Sequence, residues 1–343
     1  MFRGIDLYSD TVTRPTKPMR EAMATAEVGD EQLGEDPTTQ LLQNQVAKLL
    51  GKSASIFLPS ATMANQIAIQ LHCRPGDLLI AAHQCHLYFA EAGGPAALAG
   101  VMTASIETAS GMFNAEVLSR HLPEHRGPHG LRPSLVAVEN TTNMGGGRVW
   151  GLRDLASVVE IAKSRGIKTH MDGARLINAS VSSGHALNEI VKGFDTITLC
   201  LSKGLGCPTG ALLAFDQKDY DQVRMLKQRM GGSFRQSGIL AAAGNYALAH
   251  HVERIQDDHD HAKALAHGLD QISGVILENP EPESNILYFK TLKLETSDFL
   301  KRCEQNGLRF STVGTQRIRA VTHLDISKSD VDKALKIVQD VLK

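Results

Sequence analysis

The sequence predicts an α/β fold: a large domain with a mostly parallel sheet, then a small C-terminal α+β domain. Two features carry this at the level of architecture. Between residues 53 and 215, short apolar runs alternate with amphipathic stretches, the pattern of strand–helix–strand units with helices on both sheet faces. After Gly238 an Ala-rich stretch opens, and shorter strands and helices alternate to the end of the chain.

In chain order, residues 55–58 read as a strand stopped at Pro59, with a helix from about residue 65. Apolar runs at 78–81 and 135–138 are further strands, and 167–171 is another that ends at Asp172. The stretch 152–165 is the clearest helix. Leu155, Val158, Val159 and Ala162 share one face, and Gly166 is a C-terminal stop. Strands at 196–201 and 210–215 complete the large sheet. Residues 239–255 read as one long helix and 261–272 as another; then come strand 285–290, helix 297–306, strand 317–321 and helix 329–342. Residues 1–250 are assigned to an N-terminal segment and the large domain, and 251–343 to the small domain, with no repeat or low-complexity linker between them.

Composition narrows the function. Lys+Arg (36) balance Asp+Glu (37), so no global charge favours nucleic acid or an anionic membrane. No apolar run reaches the roughly 18 residues of a membrane span. The opening MFRGIDLYSD does not read as a signal peptide. Five scattered cysteines fit a reducing, cytoplasmic setting.

Several short motifs could carry chemistry. Lys203, in Leu201-Ser202-Lys203-Gly204, follows a strand that reads as buried. Desolvation there would free its lone pair for imine formation, whereas the bland reading is a snorkelling surface lysine. Asp172, in His170-Met171-Asp172-Gly173-Ala174-Arg175, ends a strand. It could serve the pyridine nitrogen of pyridoxal 5'-phosphate (PLP), or cap the next helix. One strand–helix–strand unit separates it from Lys203, so both can face one cleft. Ser60-Ala61-Thr62 opens a helix, which suits a phosphate or an ordinary cap. His86 could stack on a planar cofactor or act as a base. His83, Cys85 and His86 crowd too closely for zinc, and no metal site is expected. His250-His251 and His259-Asp260-His261 read as solvated helix faces. Arg235 and Arg319 could each hold a carboxylate, although surface charge is the plainer reading of either alone.

Taken together, these segments resemble the low-specificity L-threonine aldolases, enzymes of the aspartate-aminotransferase fold (fold type I). The match runs through Ser9-Asp10-Thr11-Val12-Thr13-Arg14-Pro15, Gly34-Glu35-Asp36-Pro37 and His86 with Glu91-Ala92-Gly93-Gly94. It continues through Glu139-Asn140-Thr141, Asp172-Gly173-Ala174-Arg175, Ser202-Lys203-Gly204, Arg235-Gln236-Ser237-Gly238 and Val321-Thr322-His323. The resemblance implies PLP held as a Schiff base on Lys203, with Asp172 at the ring nitrogen and His86 stacked on the ring. Ala61 and Thr62 would hold the phosphate, Arg175 and Ser202 would join the cofactor contacts, and Ser9, Arg235 and Arg319 would bind the substrate carboxylate. It also implies a homotetramer with shared active sites and a retro-aldol reaction giving glycine and an aldehyde.

The chain departs from the family pattern at Thr142, where a histidine usually lies near the substrate hydroxyl, and at Ala61, where glycine is usual. The family lysine expected near residue 229 has Arg229 as its nearest counterpart. Thr142 cannot act as a base near neutral pH, which leaves the proton to His86. It also keeps open another PLP reaction on a small amino acid: β-elimination, racemisation or transamination. A non-catalytic relative is disfavoured by the retained Lys203, Asp172 and arginines, and a nucleotide-binding protein by the missing G-x-G-x-x-G.

Overall fold

The computed structural model describes residues 2–123 and 127–343. Strands are numbered in chain order: β1 (Ile5–Asp6), β2 (Ala54–Leu58), β3 (Leu78–Ala82), β4 (Met102–Ile106), β5 (Pro133–Glu139), β6 (Lys168–Gly173) and β7 (Thr196–Cys200). There follow β8 (Ala211–Phe215), β9 (Val275–Leu277), β10 (Ile286–Thr291), β11 (Leu308–Arg309), β12 (Ser311–Val313) and β13 (Arg317–Val321).

The large sheet has the order β2-β8-β7-β6-β5-β3-β4. Only β8 runs against the others. Strands β2, β3, β7 and β8 are buried along their whole length, as expected when helices cover both faces. Strand β4 escapes the sequence reading. It is an edge strand with one fully buried residue, Ile106, so no apolar run marks it.

The helix Leu152–Ser164 buries the four predicted residues, and Gly166 takes φ +67 after its end. The two helices expected over 239–255 and 261–272 are Gly238–His250 and Ile255–Asp270, so the break between them comes earlier than expected, at 251–254. No glycine or proline announces the break. It falls where His251 drops into the fold and its Nδ1 meets the Leu205 carbonyl at 2.8 Å. The reading of these histidines as solvated faces is corrected for two of them. His251 and His259 are buried, the latter beside the Asn178 amide at 3.1 Å.

The small sheet, β12-β13-β10-β9, is antiparallel. Its core gathers Leu287, Phe289, Phe299 and Val338 with Ala262, Leu265 and Leu269 from the helix Ile255–Asp270. The N-terminal segment packs there too. β1 pairs in parallel with β11, and Leu7 joins the same core. Residues 9–13 then cross to the large sheet, where the Thr13 hydroxyl lies 3.0 Å from the Lys203 carbonyl.

Candidate active site

Strands β6 and β7 are parallel neighbours, with Asp172 opposite Thr198 and Gly173 opposite Leu199. Asp172 therefore sits at the carboxyl end of β6, and Lys203 three residues past the end of β7. This is the edge where parallel sheets bind ligands. Gly173 allows the close approach: a Cβ there would collide with the Thr198 carbonyl.

Asp172 is buried and fixed by two donors. Asn65 Nδ2 reaches Oδ2 at 2.9 Å, and the Ala174 N–H reaches Oδ1 at 3.0 Å. Each oxygen keeps acceptor capacity for a further N–H. Asn65 lies on the helix Ala61–His72, which the Ser60 hydroxyl caps at Met63 N–H. The Ala61 and Thr62 N–H groups have no hydrogen-bond partner among the described residues, so two donors are free at a helix N-terminus.

His86 begins the short helix His86–Phe89, and Glu139 Oε2 accepts its backbone N–H at 2.7 Å. His86 Nδ1 meets Glu91 Oε1 at 2.9 Å, leaving Nε2 unengaged among the described residues. Burial works against the charged imidazole, but the Glu91 hydrogen bond and the Asp172 charge outweigh it and raise the His86 pKa. Burial, reinforced by Asp172, also raises the pKa of Glu139. The ligand-type atoms of His86, Glu91 and Asp172 lie within 4.8 Å of one another. That cluster is already knitted by Asn65, whose amide donates to both carboxylates.

Arg175 is buried and turned onto Asp10, with Nε–Oδ2 at 2.7 Å and Nη2–Oδ1 at 2.6 Å. Burial alone would raise the Asp10 pKa; Arg175 reverses this and holds it well below the carboxylate range. Arg319 on β13 donates to Asn143 Oδ1 (2.9 Å), the Tyr8 carbonyl (3.2 Å) and Ser311 Oγ (3.1 Å). Arg175 Nη1 shares Asn143 Oδ1 at 3.4 Å. Ser9 is buried next to Tyr8 and Asp10, and its hydroxyl accepts the Thr11 N–H at 3.2 Å. Ser9, Arg319 and Arg175 thus converge.

Other predicted residues lie apart within this chain. Arg235 is exposed and pairs with Asp30 at 3.1 Å. Arg229 is exposed at the end of the helix Tyr220–Arg229, while its neighbour Lys227 is buried against Glu31. The Thr142 hydroxyl accepts the Arg148 N–H at 3.2 Å, so Asn143, not Thr142, is the residue of that turn that reaches the arginines. Ser202 is half-buried, with its hydroxyl 3.6 Å from Cys200 Sγ.

The residues present fit PLP. Besides the free N–H pair and the open lone pairs of Asp172, Asn140 Nδ2 and Thr141 Oγ1 are buried without partners among the described residues. They stand beside Asp172, whose carbonyl accepts the Asn140 N–H at 3.0 Å.

Sequence reasoning gave no role to Asn65, Glu91, Asp10 or Asn143. Glu91, an acid in Ala-Gly-Gly text, and Asn65, a polar residue on an apolar helix face, were the available signals.

Comparison with known proteins agrees with this geometry. The beta-eliminating lyase family matches residues 6–292. Low-specificity L-threonine aldolase 1 of Arabidopsis thaliana is 37% identical over 349 residues, covering 100% of this chain and 97% of the relative. The low specificity L-threonine aldolase of Escherichia coli (strain K12) is 37% identical over 329 residues, 95% of this chain and 96% of the relative. Among solved structures, a Leishmania major threonine aldolase superposes with a TM-score of 0.86 at 22% identity, covering 99% and 100% of the two chains. A putative L-allo-threonine aldolase from Listeria monocytogenes EGD-E gives 0.81 at 20% identity, covering 98% and 96%.

Proposed function

Because the chain belongs to the beta-eliminating lyase family, and within it to the low-specificity threonine aldolases, we propose that it is a PLP-dependent carbon–carbon lyase. It cleaves L-threonine, L-allo-threonine and related β-hydroxy-α-amino acids to glycine and an aldehyde. The observation that carries this reading is the placement of Asp172 and Lys203 at the ends of two adjacent parallel strands.

Bound PLP supplies an electron-accepting ring for the pair left at Cα when the Cα–Cβ bond breaks. Lys203 offers the amine that holds the cofactor's aldehyde carbon. Asp172 would hold the ring-nitrogen proton, and the free N–H groups of Ala61 and Thr62 with the Thr62 hydroxyl would bind phosphate. Arg319, assisted by Ser9, takes the substrate carboxylate in place of the Asn143 oxygen. Fixing that group would orient the substrate and so select which bond at Cα is broken. His86 would accept the β-hydroxyl proton at Nε2, directly or through a water. General-base help of this kind is typically worth about 10²–10⁴-fold.

The chain is read as a homotetramer. Arg235 and Arg229, exposed here, would then reach a facing subunit's site, Arg235 toward the carboxylate and Arg229 toward phosphate. Five free, buried cysteines support a reducing cytoplasmic setting. Among the described residues, no helix is long and apolar enough to cross a membrane.

The test is a substrate panel of threonine, allo-threonine, phenylserine and serine with glycine as readout. Glycine with a matching aldehyde is the expected result. Without glycine, a keto acid released with ammonia would favour the second reading as β-elimination, a keto acid without ammonia as transamination, and a D-amino acid as racemisation; the loss of an imidazole at Thr142 keeps that reading in view.

A further inference from the structure

A file of buried polar side chains runs from Asp172 across one face of the sheet. His170 and Asp172 alternate on β6, Thr196 and Thr198 on β7, and all four are buried. Asn65 and His72 come from the helix Ala61–His72. Seven residues apart, they lie two turns along the same helix face.

The hydrogen bonds fix a single direction. Asn65 Nδ2 faces Glu91 Oε1 at 2.8 Å and Asp172 Oδ2 at 2.9 Å, both acceptors, which settles which way the amide points. Asn65 Oδ1 must therefore accept, from Thr198 Oγ1 at 2.8 Å and from His170 Nε2 at 3.0 Å. That places the His170 proton on Nε2 and makes Nδ1 the acceptor of the Thr196 hydroxyl at 2.9 Å. Thr196 Oγ1 in turn accepts from His72 Nε2 at 3.2 Å. From His72 through Thr196 and His170 to Asn65, each link donates toward Asp172, and Asn65 gives its second N–H to Glu91.

The file also stays uncharged. Burial outweighs the pull of Asp172 and lowers the His170 pKa to about 4; burial likewise lowers His72 to about 3 despite Asp195. Apolar residues of similar size would cover this sheet face without the cost of burying polar groups. A one-way chain of neutral donors does what apolar packing cannot: it polarises cooperatively and delivers its last N–H to one carboxylate oxygen.

We propose that His170 and Thr196 are positioning residues for the reaction, acting through Asn65 to hold Asp172 Oδ2 in line with the cofactor's ring nitrogen. The proposal rests on the PLP reading of the site. Its test uses holoenzyme loaded with PLP labelled with ¹⁵N in the ring, comparing wild type with Thr196→Val, Thr196→Ser and His170→Phe. Thr196→Val keeps the volume and removes only the hydroxyl. In Thr196→Val and His170→Phe, the ring ¹⁵N resonance should move toward that of unprotonated pyridine. The kcat for glycine release should fall roughly five- to thirtyfold with KM little changed, the size expected from one weakened hydrogen bond to a charged group. Thr196→Ser should restore both readouts. A folded Thr196→Val holoenzyme with wild-type resonance and kcat overturns the proposal, and this holds even if His170→Phe does not fold. Wild-type protein that takes up no PLP instead overturns the cofactor reading, and the proposal with it.

Discussion

Arg175 and Asp10 form a buried, two-pronged ion pair, 2.7 and 2.6 Å long, that ties the N-terminal segment to the end of β6. Asn285 Nδ2 lies 3.3 Å from the same carboxylate, so Asp10 also touches the small domain's sheet region. Replacing Asp10 with Asn keeps the shape but leaves the guanidinium without its counter-charge. Breaking such a pair typically costs about 3–5 kcal/mol. The expected outcome is a lower urea midpoint with unchanged slope, and weaker substrate binding because Ser9 is adjacent. A midpoint within error of wild type would mean that the pair contributes little net stability.

Lys203→Ala should remove the visible absorbance of lysine-linked PLP and abolish glycine production. PLP could still bind through the phosphate and Asp172 contacts, so absorbance rather than cofactor content is the measurement to make. Persistence of the wild-type spectrum would show that another amine holds the cofactor.

As the proposed base, His86 should set the acid limb of the pH profile. Only its neutral form can accept a proton at Nε2, and its pKa lies above the usual 6.5. Activity measured as kcat/KM should therefore rise with pH through a midpoint above 6.5. Glu91→Gln removes the carboxylate that favours the charged ring, so the midpoint should move to lower pH. An acid limb that does not move in Glu91→Gln would assign the titration to another group.

Thr142 tests specificity. A Cβ built at Gly111 or Gly145 would come within 3.0 Å or 2.7 Å of Thr142 atoms, so the residue is packed tightly. Thr142→His should change the ratio of threonine to allo-threonine cleavage and, by overpacking, lower stability by about 1–3 kcal/mol. An unchanged ratio would remove position 142 from the specificity argument.

Strands β2, β3, β5, β7 and β8 were legible because each is a short, largely apolar run bounded by turn residues, β6 because a short stretch after the Gly166 stop ends at Asp172, and Lys203 because it closely follows the run of β7. The rest depended on tertiary contacts that leave no local trace. The break at His251 is set by the Leu205 carbonyl, 46 positions away in sequence. Strand β1 is two residues long and exists only because β11 lies beside it. Asn65 reads as an ordinary polar residue of an apolar helix until the fold brings Glu91, Asp172, His170 and Thr198 around its four hydrogen-bonding positions. Arg235 reads as a carboxylate ligand by its motif, yet within one chain its partner is Asp30.

The same buried imidazole predicts how stability depends on pH. His170 has a folded pKa of about 4 against 6.5 for the ordinary side chain, because burial disfavours its charge. Between these values the unfolded chain binds a proton that the folded chain refuses, so stability rises with pH across the window and falls on acidification. At pH 7 the full contribution is present; below about 4 both forms are protonated and no more is lost. One histidine can account for something on the order of 3 kcal/mol across this range. Chemical denaturation of the holoenzyme at pH 7 and pH 5 should show the loss, and His170→Phe should show less of it. Equal losses in the two proteins would mean that His170 is protonated in the folded state near pH 5, which would contradict its place as a neutral link beside Asn65.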